Sequence, residues 1–373
     1  MAEPLKNIYN DSFFEKFTIA IQQQIPAFDK PSFLASIFDK EWTSRELKQR
    51  MHHIVLCLKP HLPTEYKPMI QTVLSIVNQL QKNNKNKQSF EWMFLPEFVE
   101  LYGLNDFKTS VRAFEQITQF TSCEFAVRPF IIKYPVKMMA QMLQWAKHEN
   151  KNVRRFATEG CRPRLPWAMA LPPLKNDPQS ILPILEQLKK DPSEYVRRSV
   201  ANNLNDIAKD NPAIVIEIAK KWIGKTTETD KLVKHACRTL LKQGNTEMMC
   251  LFGFSSIENI EITNFNIHTP SIKIGEAVSF SFDIKNMSNK PSLIRLEYGL
   301  YYQKANGTLS RKVFKISETN YESNASRTIS RKQSFKITTT RKLHLGLHQI
   351  AIIVNGQEFD RYDFLLVTPH SSS

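Results

Sequence analysis

One stretch of this chain repeats itself. Asn152–Gly160 reads NVRRFATEG and Tyr195–Asn203 reads YVRRSVANN, displaced by 43 residues. A weaker copy, VKHACRTLLKQG, follows at Val233–Gly244, and SVRAFEQIT at Ser110–Thr118 resembles an earlier one. A period of about 40 residues belongs to stacked helix pairs, in which each unit buries its apolar face only against its neighbours.

From the N-terminus to about Leu251 apolar residues recur at helical spacing, glycine is scarce, and breaks come at Pro, Asn and Asp clusters; this predicts about a dozen helices. The tract QKNNKNKQ at Gln81–Gln88 has no apolar residue and predicts an exposed loop or a frayed helix end. Beyond GNTEMMCLFGFSS the pattern becomes short alternating runs, such as IENIEITNF, AVSFSFDIKN, LIRLEYGLYY and HQIAIIVNG. Asn306-Gly307 and Asn355-Gly356 are hairpin signals, because both residues tolerate the positive φ of a two-residue turn. About seven strands in roughly 115 residues point to an immunoglobulin-like sandwich. The expected fold is therefore an α-α superhelix of helical repeats over residues 1–254, followed by a β-sandwich over 255–373, with the final PHSSS disordered.

The 373-residue chain carries 51 Lys and Arg against 36 Asp and Glu, a formal net charge of +15. Such an imbalance attracts phosphate polymers or anionic membrane surfaces. The sandwich region is basic too, with 15 Lys and Arg against 10 Asp and Glu. No run approaches the roughly 18 apolar residues of a membrane span, and MAEPLKNIYNDSFF lacks the pattern of a signal peptide, so a cytoplasmic protein aimed at nucleic acid is expected. The five cysteines are odd in number, widely spaced and without a CxxC, which fits neither a disulfide framework nor a zinc site.

In the helix around Val153 the core-facing set is Val153, Ala157 and Gly160, which places Arg155, Glu159 and Arg162 on another face. The flanking guanidiniums are expected to hold Glu159 ionised. One repeat on, Val196, Val200 and Leu204 face inward while Arg198, Asn202 and Asp206 stand one above another. Arg/Asp ladders also tie neighbouring repeats together, so a purely structural role stays open for each element. Taken together, Arg154, Arg155, Arg162, Arg164, Arg197 and Arg198 are expected to line one concave surface suited to phosphates. Trp167 follows two prolines in RPRLPW, where it serves either as core or as a ligand contact beside the arginines. Glu124, four residues before Arg128, reads as a helix salt bridge, with Lys133 following. His52 and His53 read as ordinary histidines. No nucleophile constellation, phosphate-cradling glycine loop or metal motif is present, so no cofactor and no metal are expected.

NVRRFATEGCRPRLPWAMALPPL at Asn152–Leu174 and DPSEYVRRSVANNLNDIAKDNP at Asp191–Pro212 resemble the AlkC family of bacterial alkylpurine DNA glycosylases, which stands with AlkD among the HEAT-like repeat glycosylases. Some members carry a C-terminal immunoglobulin-like domain. The resemblance implies hydrolysis of the N-glycosidic bond of cationic alkylated bases of the 3-methyladenine type in duplex DNA, starting base excision repair without flipping the base into a closed pocket. It implies Glu124, Glu159 and Asp206 as catalytic carboxylates and Trp167 as the aromatic contact. Lys133, Arg154, Arg155, Arg162, Arg164, Arg197 and Arg198 would then hold phosphates, with Asn202 as a polar contact. The partner is double-stranded DNA, with the nucleoid as the place of action and a monomer as the default state. Arg311, Lys312, Arg331, Lys332, Arg341 and Lys342 of the sandwich are read as a clamp on the duplex, or else as solvated charges. The alternatives are a non-catalytic DNA- or RNA-binding scaffold and a protein-interaction adaptor.

Overall fold

The computed structural model describes residues 3–83, 89–254, 256–337 and 342–368. Most of the 81–88 tract, Arg341 and the terminal PHSSS lie outside the described residues. Among those described, sixteen α-helices run from Asp11 to Leu251 and eight strands from Ile260 to Val367. The helices outnumber the predicted dozen because several, such as Pro172–Asn176 and Leu182–Leu188, are too short to show a full apolar period.

The repeat is real. Helices Tyr66–Asn83, Phe107–Phe120, Lys151–Glu159, Glu194–Ile207 and Thr227–Ala236 form one row, each packing on the next. The weak copy at Val233–Gly244 is broken at Cys237, between Thr227–Ala236 and Arg238–Lys242. Lys151–Glu159 begins where the Asn150 side chain accepts a bond from Asn152 N at 2.8 Å, satisfying one of the open donors of the first turn. Val153, Phe156 and Ala157 are fully buried. Gly160 completes that face: a Cβ there would lie 3.0 Å from Val127 and 3.2 Å from Met142. In Glu194–Ile207 the inward Val196, Val200 and Leu204 are buried as expected. All five cysteines are free thiols, and no helix among the described residues is long and apolar enough to cross a membrane.

By contact the chain divides into residues 1–215 with 222–236, and 216–221 with 237–373. The second unit holds β1 (Ile260–Ile267), β2 (Ser271–Lys273), β3 (Ala277–Asn286), β4 (Ser292–Gln303), β5 (Leu309–Tyr321), β6 (Ser326–Ser334), β7 (Gly346–Val354) and β8 (Gln357–Val367). They form two sheets, β1-β3-β6 and β2-β8-β7-β4-β5. The alternation read in AVSFSFDIKN is the pleat of β3, whose Val278, Phe280, Phe282 and Ile284 point into the core against Leu296, Leu300, Ile350 and Ile352. Asn355-Gly356 makes the expected two-residue turn, with φ of 45° and 82°. Asn306-Gly307 does not. Only Gly307 has positive φ, and the connection runs over 304–308 because Asn306 Oδ1 accepts from Thr308 N and Oγ1, drawing the loop into a wider turn.

The helices Arg238–Lys242 and Thr246–Leu251 belong with the sheets, and one backbone approach ties them there. A Cβ on Gly244 would lie 2.5 Å from the Gly356 carbonyl oxygen, and one on Gly356 would lie 2.3 Å from Gly244 Cα. Both have positive φ, so any side chain meets a clash and a strained conformation at once. Gly244→Ala and Gly356→Ala are each expected to destabilise by at least about 2 kcal/mol in chemical denaturation, whereas alanine at Gly253, which has no neighbour within 4 Å, is expected to cost about half of that.

Candidate active site and nucleic-acid interface

The two VRR motifs divide their arginines between two jobs. Arg154 Nη1 donates to the carbonyls of His148 and Glu149, and Arg197 Nη1 donates to those of Asp191 and Pro192. The acceptors are 43 residues apart, like the donors. Each first arginine thus ties down the turn that precedes its own helix, and Arg154 also grips the buried Asp191 of the next repeat through Nε at 2.6 Å.

The second arginine of the first motif goes inward. Arg155 Nη1 donates to Glu124 Oε2 and, at 2.8 Å, to Ser122 Oγ, while its Nη2 lies 3.4 Å from Glu159 Oε1. Arg162 Nη1 donates to the same Glu159 oxygen at 2.7 Å and its Nε to Asp206 Oδ2 at 2.8 Å. Lys209 closes the line at 3.1 Å from Asp206 Oδ1, and Ser199 Oγ donates to Glu159 Oε2. The result is an alternating chain, Glu124, Arg155, Glu159, Arg162, Asp206, Lys209, of which only Lys209 is substantially exposed. Burial pushes the Glu159 carboxyl up, but the guanidiniums of Arg155 and Arg162 and the bonds from Ser199 and Arg162 outweigh it, holding the group below its ordinary value. The same carboxylates, working against burial, hold both arginines above theirs.

Two expectations are corrected here. Six guanidiniums do not line one solvent face: Arg155 and Arg162 retain only 12% and 8% of their side-chain exposure, drawn in by Glu124, Glu159 and Asp206. Glu124 does not pair with Arg128 along a helix, because it lies ahead of the helix Arg128–Lys133 and turns to Arg155. Arg128 is instead fully buried, donating from Nε to Met169 O at 2.6 Å and from Nη1 to Gly160 O at 3.1 Å. It thereby joins the end of the Glu159 helix to the segment that follows Trp167.

Trp167 is 61% exposed with φ of 64°, a region that a bulky residue enters only under constraint. The loop carrying it is pinned by Arg128 behind and by Lys48 Nζ, which donates to the Trp167 carbonyl at 2.9 Å. Its ring meets Phe90 edge-on, with centroids 6.3 Å apart. It is therefore a displayed aromatic and not core.

The remaining candidates lie outside the buried chain. Arg164 forms a two-pronged pair with Asp210, exposed Arg198 pairs with exposed Glu194, and Asn202 Oδ1 accepts from His235. Lys133 donates to Asn105 and lies over the Tyr134 ring. In the sandwich Arg311 and Lys312 lie on β5, Arg331 and Lys332 on β6, and Lys342 after it, all exposed; β5 and β6 are edge strands of their sheets. Ser122, Ser199 and the anchoring role of Arg128 were not foreseen, since no local motif marks partners 32 to 41 residues away, and neither was Lys209, three residues from Asp206. Among the described residues no three His, Cys, Asp or Glu side chains are grouped to hold a metal ion.

Comparison with known proteins follows the same division. A family described as "DNA alkylation repair enzyme" matches residues 79–240, and one described as "Uncharacterised protein YhaZ, C-terminal Ig-like domain" matches 261–368. The chain is 40% identical over 360 residues to "Uncharacterized protein YhaZ" of Bacillus subtilis (strain 168), covering 96% of this chain and 98% of the relative. Among solved structures, "Pseudomonas fluorescens alkylpurine DNA glycosylase AlkC bound to DNA containing an abasic site analog" superposes with a TM-score of 0.91 at 33% identity, over 98% of this chain and all of that one.

The buried chain of charges makes two testable demands. Arg162→Met strands Glu159 and Asp206 without their shared cation and is expected to cost about 3–5 kcal/mol in urea denaturation. For Glu159 the folded-state value lies below the ordinary 4.5, so its contribution is fully present above that value and is lost as pH falls through the folded one. The stability gap between wild type and Glu159→Gln is thus expected to be widest at neutral pH and to narrow as pH falls below 4.5; an unchanging gap would sink this account.

Proposed function

The chain belongs to the DNA alkylation repair enzyme family in its AlkC-like form with a C-terminal immunoglobulin-like domain, and from this we propose that it is a DNA glycosylase hydrolysing the N-glycosidic bond of alkylated bases in duplex DNA. One observation carries the reading to chemistry. Both oxygens of Glu159 and both of Asp206 are taken by hydrogen bonds or ion pairs, whereas Glu124 Oε1 accepts none among the described residues. Ser122 and Arg155 fix the other Glu124 oxygen, so the free one is oriented and accessible to a reacting group.

The reaction this favours needs no acid on the leaving group. An adenine alkylated at N3 already carries positive charge, and the electron pair of the breaking C1′–N bond neutralises it. What remains is an oxocarbenium sugar, to which a water adds at C1′ while surrendering a proton. Glu124 holds that water and takes the proton, and the net negative end of the charge chain stabilises the sugar cation. Glu159 and Asp206 act through Arg155 and Arg162, holding the array in place, and Trp167 lies against the damaged nucleotide. The substrate is a cationic lesion of the 3-methyladenine type, cleaved by a monomer on chromosomal DNA in the cytoplasm without being swung into a closed pocket.

Phosphates fall to the cations whose present partners are exposed and so readily exchanged, Arg198, Arg164 and Lys133, with Asn202 beside them. Arg154 and Arg197 shape the loops from which those phosphates are bound. On the sandwich, Arg311, Lys312, Arg331, Lys332 and Lys342 clamp the duplex. Removing one phosphate-binding cation lowers the salt dependence of log K by about 0.9, so Arg331→Ala with Lys332→Ala is expected to flatten the slope by about 2 if the clamp operates. An unchanged slope removes it.

The deciding assay is release of 3-methyladenine from methylated duplex DNA. Wild type is expected to release it, and Glu124→Gln to lose at least about 100-fold in rate while still folding and binding abasic-site DNA. A folded wild type that binds but releases nothing would leave the chain a DNA-binding scaffold.

A further inference from the structure

A cleft of about 260 Å³ opens beside the charge chain. Its walls come from the helices Leu47–Leu58 and Glu97–Tyr102, from Ser122, Phe125 and Ala126, and from Ala168 and Met169 of the loop that displays Trp167. It therefore shares Ser122, the donor to Glu124, and the tryptophan loop with the proposed catalytic site. Phe125, Met51, Met93 and Met169 give it an aromatic and thioether surface, adaptable to a flat polarisable ring.

The polar groups in it are arranged for a cation. Glu97 and Glu100 line it from one helix turn, facing Lys48 and His52 from the other wall. His52 Nδ1 is bonded to Glu97, and Lys48 Nζ is held by the Trp167 carbonyl and lies 5.3 Å from the centre of the Phe125 ring. One cation thus already occupies the aromatic face. Glu100 has no hydrogen bond or ion pair among the described residues. Burial, and then the neighbouring Glu97, push its carboxyl up to about 7, against the weaker pull of Lys48 and His52. A half-buried carboxylate without a partner costs stability when ionised, and Lys48 and His52 offset that cost only in part.

We propose that this cleft is a subsite for the cationic alkylated base, with Phe125 and the methionines receiving its ring and Glu97 and Glu100 its positive charge. The proposal rests on the glycosylase reading for the identity of the base. It makes Glu97 and Glu100 specificity determinants: a neutral purine of the same shape gains the apolar contact and not the charge, while an alkylated one gains both. A cationic ring at Phe125 competes with Lys48 for the same face, so filling the cleft also releases the ammonium from the Trp167 carbonyl.

The probe is 1-methyladenosine, cationic at about pH 7.5, against neutral adenosine, titrated into the full-length protein bound to abasic-site DNA and read by tryptophan fluorescence. Wild type is expected to bind the cation about tenfold more tightly, the size of one partly desolvated charge contact, and Glu100→Gln to abolish most of that preference. The same substitution is expected to raise the melting temperature most at about pH 8.5, where wild type carries the unpaired charge, and to leave it nearly unchanged only at about pH 4, where Glu100 is protonated in the folded chain and largely so in the unfolded one. That second readout establishes that the variant is folded. Equal affinity for the two nucleosides in wild type, or an undiminished preference in Glu100→Gln, overturns the subsite. Preferential cation binding by a protein that releases no 3-methyladenine would instead sink the glycosylase reading and leave the cation site standing.

Discussion

Three carboxylates can be withdrawn from water between neighbouring helices only if cations go in with them, and Arg155 and Arg162 are those cations. An isolated buried carboxylate would take up a proton rather than remain charged. Here each guanidinium is shared by two acids, so that Glu159 is held from both sides and the line ends at Glu124. The repeat register makes this possible. Arg155 and Glu159 lie on one helix, Asp206 and Ser199 on the next, and Arg162 on the segment between; a shift of one position in either helix would turn these side chains by about 100° and dismantle the array. The 43-residue period is thus the condition for the site and not merely a description of the scaffold.

Trp167 shows the reverse balance. A bulky residue at positive φ, largely exposed to water, gains little from burial and costs backbone strain of about 1–3 kcal/mol. It is retained because its surroundings over-determine it: Arg128 is buried whole to bind Met169 O and Gly160 O, and Lys48 reaches across 119 residues to the Trp167 carbonyl. Two cations hold one loop, and one end of that loop's anchorage is the helix that carries Glu159. The loop of the displayed ring and the end of the helix that carries Glu159 are therefore joined through Arg128.

The sequence was most informative where function and periodicity coincide. The VRR repeat located the two helices, their inward faces and the placement of Glu159 between two arginines. It could not separate the arginines by role, since Arg154 and Arg155 are adjacent in sequence yet one reaches back to the carbonyls of its own turn while the other enters the acid network. Only the 43-residue match between the acceptors of Arg154 and Arg197 reveals the first role. Glu124 and Arg128 invited pairing by their spacing of four, which presumes a continuous helix; the helix begins at Arg128, so the spacing carried no contact. The sandwich was legible from alternation, as in β3, but the wide turn at Asn306-Gly307 was not, because an asparagine side chain that bonds its own loop competes with the two-residue hairpin.

On the proposed glycosylase reading, the charges of this chain also bear on how a damaged base is told from a sound one. A net charge of +15 draws a phosphate polymer towards the protein and says nothing about which nucleotide is damaged. The carboxylates are placed differently, in the repeat stack or in the cleft beside it, where a phosphate would be repelled. DNA is a polyanion whose bases are neutral, and alkylation at a ring nitrogen creates the one kind of group in it that these acids attract. On the proposed glycosylase reading, cations towards the backbone and anions towards the base act on different parts of the substrate, the first setting affinity and the second choosing the lesion. A site of this kind can be selective without enclosing the base, because selection rests on the sign of a charge and not on the fit of a pocket.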